Sequence, residues 1–344
     1  MSVHGEETTA QSLLALNPCY NPDEYTMYFL DSKHEVLEND IFQVFDSESK
    51  NRVGWVFPIQ SLLSNSHTYA NNDHYIKYAY VATYKLLCAG VFMSNDYDEL
   101  RLKDENCMPV VLVLCNDNCN RIPNFDINHY VISLYDNGFV VCAVDANNKK
   151  SRDGDNASQN HAIIHIRPIS SQLHDNEFIK YAYETILPRK DLMPVTRFHM
   201  LYQVVEILIG IILRHDFAEF INRIGADASK YFDTIEDLRR ITGEGARVHK
   251  LLSTDSPGIS RIDSEKREFC NKDCIGLLTV VNEKKKTELS GNLYRVRCLI
   301  VHSYHMIDIQ HIDCIDEIND SFERVLADVL TTFEYPKPDI NSEG

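Results

Sequence analysis

The pattern of apolar and polar positions changes character once along the chain. In the first half, short apolar runs recur in which Val, Ile, Tyr and Phe dominate. They are Tyr25–Leu30, Asp40–Phe45, Val53–Ile59, Pro109–Cys115, Tyr130–Tyr135, Phe139–Asp145 and His161–Arg167. β-Branched and aromatic residues suit the pleated, half-buried surface of a sheet, so each run predicts a strand. Asp136-Asn137-Gly138 falls between two of these runs, and Asn-Gly supplies the positive φ angles of a tight hairpin. Helices are expected over Asp73–Met93 and Asn176–Ile186, which makes this part an α+β domain. Ala146–Gln159 is polar and rich in Asn, Asp and Ser, the composition of a loop.

Leu187-Pro188 and Met193-Pro194 mark a joint, because proline disfavours helix in the residue before it. Beyond it the period becomes helical. Phe198, Leu201, Tyr202, Val205, Leu208, Ile209 and Ile212 follow the i, i+3, i+4, i+7 spacing of a stripe that must be buried. Further helices are expected over Asp216–Ile224, Thr234–Leu252, Lys266–Asn282, Thr287–Tyr304 and Ile312–Phe333, with Pro257-Gly258 interrupting the pattern. The expected organisation is an α+β domain over residues 1–187, an all-α helical bundle over 188–336, and a disordered tail over 337–344.

Length and charge refine this picture. A chain of 344 residues can form two domains with separate cores. Val204–Leu213, the longest strongly apolar run, is about half of what a membrane span needs. The N-terminal stretch lacks a basic segment followed by an apolar one, so no secretory signal is expected and the chain is placed in the cytoplasm, away from membranes. Ten scattered cysteines fit free, buried thiols better than a disulfide framework. The net charge of −17 excludes a general nucleic-acid coat, since phosphate binding needs local positive charge. That charge is uneven. Arg239–His305 carries 13 Lys/Arg against 8 Asp/Glu, leaving 21 against 43 for the remainder.

The basic block surrounds the segment richest in candidate chemistry, Leu293–Tyr304. Leu289, Leu293, Val296 and Ile300 make a buried helical stripe. At 100° per residue, Arg295 and His302 lie within about 20° of each other, whereas Arg297 points about 140° away and must bend back to reach His302 or face the cleft from a partner's helix. His199, Gln203, Glu206 and Gly210 form a narrow polar strip on an otherwise apolar helix. Such a strip is either solvated or turned toward a cleft where Glu206 could orient His302 or Arg297.

Arg297-x4-His302 and Arg295-x6-His302 both fit the R-x4-6-H signature, and Tyr304 completes R-x4-H-x-Y. In these residues the C-terminal part resembles HEPN ribonucleases, and Arg197–Glu206 is similar to a HEPN opening helix. Where many members carry a polar residue after the arginine, this chain has Cys298. The resemblance implies a HEPN-like bundle and a metal-independent endoribonuclease with Arg297 and His302 as catalytic residues and Arg295 and Tyr304 as substrate contacts, to which the polar strip, not the resemblance, adds Glu206. It further implies RNA as partner, a homodimer that pairs two motif helices, and a role in anti-phage defence or a toxin–antitoxin pair under a regulatory protein or phage-derived trigger. The first domain would then sense or regulate. The chemistry suits the residues, because an imidazole can move protons near neutral pH and a guanidinium can brace phosphate oxygens. The alternative from another class is a non-catalytic HEPN scaffold that binds a nucleotide or a partner protein.

No cofactor or metal site is assigned. Cys115-x3-Cys119 and Cys270-x3-Cys274 lack the usual C-x2-C spacing of structural zinc, and His302 with His305 adds no matching half. His161 and His165 share one side of a strand, which reads as structural. Phosphate-binding glycine loops and the nucleophile elbow of hydrolases are missing from the sequence.

Overall fold

The computed structural model describes residues 20–94, 100–102, 110–142, 163–189, 191–224, 231–253 and 259–335. The chain divides into two compact units, residues 1–168 and 169–344. The division lies before the joint expected at 187/188. Residues 169–187 belong to the second unit because its backbone holds them: Ser170 N–H donates to the Leu330 carbonyl, and Gln172 exchanges hydrogen bonds with the Tyr335 backbone.

The first unit is built on a six-stranded sheet of β1 (Tyr25–Ser32), β2 (Phe42–Asp46), β3 (Arg52–Pro58), β6 (Val110–Cys115), β7 (Phe139–Val141) and β8 (Ile163–Ile166), in the order β7-β1-β6-β3-β2-β8. Two short strands, β4 (Phe92–Ser94) and β5 (Leu100–Leu102), pair separately. Within the large sheet all pairings are antiparallel except β2 with β8. Central β6 reads as a continuous apolar run because both its faces are covered. Val111 and Val113 pack with Trp55, Phe57, Tyr75, Tyr78 and Val81, the last three from helix α1 (Asp73–Cys88). Val110, Leu112 and Leu114 face the other way, onto Ile127, Tyr130 and Leu134. Asn72 caps α1 by accepting from the amides of His74 and Tyr75. At Gly54 a Cβ would stand 2.2 Å from the Val113 carbonyl oxygen, so only glycine permits this close approach of β3 to β6.

One expected strand is a helix. Tyr130–Tyr135 becomes α2 (Val131–Asp136), and Asn137-Gly138 ends that helix instead of turning a hairpin. Gly138 takes φ 86° and donates back to the Tyr135 carbonyl, the left-handed stop that glycine provides after a helix. A six-residue apolar run fits either period, and packing on the sheet decides it. Similarly α1 stops at Cys88, where Gly90 at φ 68° ends it before β4. The expected loop Ala146–Gln159, His161, the Pro257-Gly258 break and the tail 337–344 lie outside the described residues.

The second unit is helical: α3 (Glu177–Tyr181) running into a π-type turn over Ala182–Ile186, α4 (Pro194–Ile224), α5 (Tyr231–Thr242), α6 (Glu244–Leu252), α7 (Ser264–Val280), α8 (Leu289–His302) and α9 (Asp313–Thr332). Helix α4 is continuous through the break expected near residue 214. Its buried stripe carries on through His215 and Phe220, and Gly210, with nothing within 4 Å of a Cβ, causes no interruption. The helix expected over Thr234–Leu252 is instead two, divided at Gly243, whose backbone is extended. Arg247 caps the break by donating to the Ile241 and Thr242 carbonyls. Helix α8 buries Leu289, Leu293, Val296, Leu299 and Ile300 and packs against α7 and α6, while α4 packs against α9 and α6. Among the described residues no helix is long and apolar enough to cross a membrane. Their cysteines are free thiols, of which Cys119, Cys270 and Cys274 are buried.

Candidate functional site

The packing of α8 fixes which motif side chains can meet. With the Leu293/Val296/Ile300 stripe inward, His302 falls at the last residue of the helix and is exposed to solvent. Arg297 bends back toward it, and Nη1 reaches 3.5 Å from His302 Nε2. That distance is the outer limit of a hydrogen bond, and it brings guanidinium and imidazole to one surface. Arg295 does not join them. Its guanidinium faces Glu283 before α8 at 3.9 Å. Helical projection alone favoured Arg295 over Arg297 as the neighbour of His302; the flexible stem of Arg297 and the helix end at His302 reverse that order. Tyr304 lies in the following 3-10 turn and is exposed.

Arg297 is the most constrained member. Its side chain is only 18% exposed, and carboxylates from two other helices hold it: Glu206 of α4 at 3.6 Å from Nη2 and Glu244 of α6 at 3.5 Å from Nε. Nε is buried and makes no hydrogen bond among the described residues, so the Glu244 contact is an ion pair without hydrogen-bond alignment. The guanidinium carbon also sits 5.5 Å from the ring centre of Tyr202, whose hydroxyl donates to Glu244. Burial opposes the charge of Arg297, but Glu244, Tyr202, Cys298 and Glu206 together raise its pKa above the ordinary arginine value. Burial, reinforced by the Glu244 charge, pushes the Tyr202 phenol far up, so it stays a neutral donor.

The polar strip on α4 thus includes one member that turns toward the motif, Glu206. Glu244 and Tyr202 were not among the sequence candidates. Tyr202 reads as a stripe residue, and its hydroxyl matters only because Glu244 stands opposite. Glu244 faces the site because Gly243 restarts the helix, a break for which an isolated glycine is weak warning. Cys298, beside Arg297, is partly buried and interacts with Tyr294, whose pKa burial and Cys298 both raise. The exposed lysines 284–286 precede α8 next to Glu283, the partner of Arg295.

Chemically, the surface offers an accessible imidazole, a guanidinium fixed in direction, and a carboxylate pair that keeps that guanidinium charged. Comparison of the chain with protein-family models, with curated proteins and with solved structures finds no match.

Proposed function

We propose that the second unit is a HEPN-like, metal-independent endoribonuclease, with Arg297 and His302 as its catalytic pair. The single observation that carries this reading is the solvent-exposed His302 imidazole 3.5 Å from an arginine fixed by two carboxylates. RNA brings its own nucleophile. His302 removes the proton from a ribose 2′-hydroxyl, whose oxygen attacks the adjacent phosphorus. The phosphorus–5′-oxygen bond breaks, an imidazolium returns the proton to the leaving oxygen, and the products are a 2′,3′-cyclic phosphate and a 5′-hydroxyl. Arg297 stabilises the charge that develops on the phosphate oxygens. The preceding lysines and Arg295 supply positive charge for the strand, in a chain otherwise strongly acidic.

A homodimer fits this reading, because exposed apolar side chains stand at the end of the motif helix and in the two 3-10 turns that follow it: Val301, Tyr304, Met306 and Ile309, the last 87% exposed. The N-terminal unit is then a sensor or regulator, and RNA cleavage in anti-phage defence or a toxin–antitoxin pair is the physiological output implied by the family. The test is cleavage of labelled single-stranded RNA in EDTA. Wild type should cut and leave cyclic phosphate ends, and Arg297→Ala and His302→Ala should each lose activity with unchanged far-UV circular dichroism. Undiminished cleavage by both variants defeats the assignment.

One observation favours a second reading. The Glu206 and Glu244 carboxylates already occupy Arg297, as they would in a non-catalytic scaffold that binds a nucleotide or a partner protein through the same face. Growth arrest on expressing wild type, relieved by His302→Ala, separates an enzyme from this scaffold.

A further inference from the structure

Away from the motif, α4 carries a second group of polar side chains where its stripe should be apolar. His215 is only 7% exposed, yet Nδ1 has no hydrogen-bond partner among the described residues. That nitrogen points toward Glu219, one turn on, at 3.8 Å. One ligand atom each from His215, Asp216 and Glu219 lies within 4.8 Å of the others. An imidazole buried with a bare nitrogen costs free energy unless something binds it.

We propose that His215, Asp216 and Glu219 form a site for one divalent transition-metal ion of the zinc or cobalt type, distinct from the Arg297–His302 surface. The donor set is one imidazole and two carboxylates, a mixture that suits these ions better than magnesium or calcium, which prefer oxygen alone. Bonds of about 2.0–2.2 Å place tetrahedral ligands roughly 3.3 Å apart, so the three atoms must close in. The adjustment falls on Glu219, whose side chain is 62% exposed. Asp216 is fixed instead. Its carboxylate accepts from Lys250 Nζ at 2.7 Å and from the Tyr335 hydroxyl, and Lys250 also donates to that hydroxyl. Three protein ligands leave a fourth position on the solvent side, where Glu219 lies.

Lys250 gives the proposal its sharpest consequence. Its ammonium already offsets the Asp216 charge, so it competes with a metal ion for the same carboxylate. The Lys250 side chain is 37% exposed and can withdraw into water when an ion binds. A cation therefore binds more tightly once that lysine is gone, the opposite of what loss of a merely structural contact would do.

The experiment is a titration of the full chain with Co2+, read by its visible d–d bands, which distinguish imidazole–carboxylate ligation from the thiolate charge-transfer band that free cysteines produce. One equivalent should bind. Glu219→Gln, at an exposed position that does not threaten folding, should weaken binding at least tenfold, and Lys250→Met should strengthen it severalfold. Any other pattern overturns the site: no d–d bands in wild type, bands from thiolate only, or affinity unaltered by either substitution.

Discussion

The Glu244 carboxylate lies 3.5 Å from Nε of Arg297 and accepts a hydrogen bond from the Tyr202 hydroxyl on a third helix. Glu244 is 26% exposed and Glu206, the other carboxylate on Arg297, is 50% exposed. The two acids therefore fix the guanidinium unequally, since a screened surface pair contributes little.

This inequality predicts different consequences for two isosteric substitutions. Glu244→Gln removes the better-shielded charge and loosens Arg297, and a loss of about 1–1.5 kcal/mol of positioning corresponds to roughly tenfold in RNA cleavage rate. Glu206→Gln should change the rate by less than about fivefold, as expected for an exposed pair. Single-turnover cleavage, with RNA binding measured separately by fluorescence anisotropy, checks both. Equal effects of the two variants would remove Glu244 from its role as the positioning residue.

A second prediction concerns alkaline stability of the first unit. Burial raises the Cys119 thiol from 9.0 to about 12 and the Tyr75 phenol from 10.0 to about 12. Well below about pH 9 both groups are protonated in folded and unfolded chains, so their contribution is fully present. Above it the unfolded chain releases protons that the folded unit keeps, and stability must fall between about pH 9 and pH 12. Trp55, the single tryptophan, is buried beside Tyr75 and reports on this unit alone. Urea midpoints from its fluorescence should decline steadily from about pH 8.5 to pH 11, and a level midpoint over that range would contradict the burial of these groups.

Sequence patterns conveyed the two-part architecture because period and composition are local properties. Runs of β-branched and aromatic residues marked β1, β2, β3 and β6, and the 3.6-residue stripe marked α4 and α8. Failures came where local signals are degenerate and packing chooses. Tyr130–Tyr135 suits a strand or a helix, and only the sheet face above it selects α2. The candidate site was legible in part for the same reason. Arg297 and His302 stand in one short motif, but their contact depends on a side chain bending across the helix end. Glu244 and Tyr202 come from other helices, and no spacing in the sequence relates them to Arg297.

The last prediction tests what holds the long helix in place. Arg197 of α4 is 3% exposed, and its Nε donates to Glu323 of α9 at 2.8 Å, with Glu323 itself 5% exposed. Nη2 reaches Asp320 at 2.8 Å and Nη1 lies 3.9 Å from Asp316, both substantially exposed. Three acids at i, i+4 and i+7 on one face of α9 thus converge on a single guanidinium. Next to it Phe198 packs on Phe322 with ring centres 5.9 Å apart. Breaking a buried pair from one side leaves the other charge without compensation, which costs about 3–5 kcal/mol. Arg197→Ala should therefore lower the stability of the helical unit by that amount in urea, followed by far-UV circular dichroism. Removing both charges at once is different, because a well-packed apolar pair avoids desolvation altogether. The double variant Arg197→Met with Glu323→Leu should recover most of the loss and reach or exceed wild-type stability. If Arg197→Ala costs less than about 1 kcal/mol, or the double variant is no more stable than the single, the buried pair is not what anchors α4 to α9.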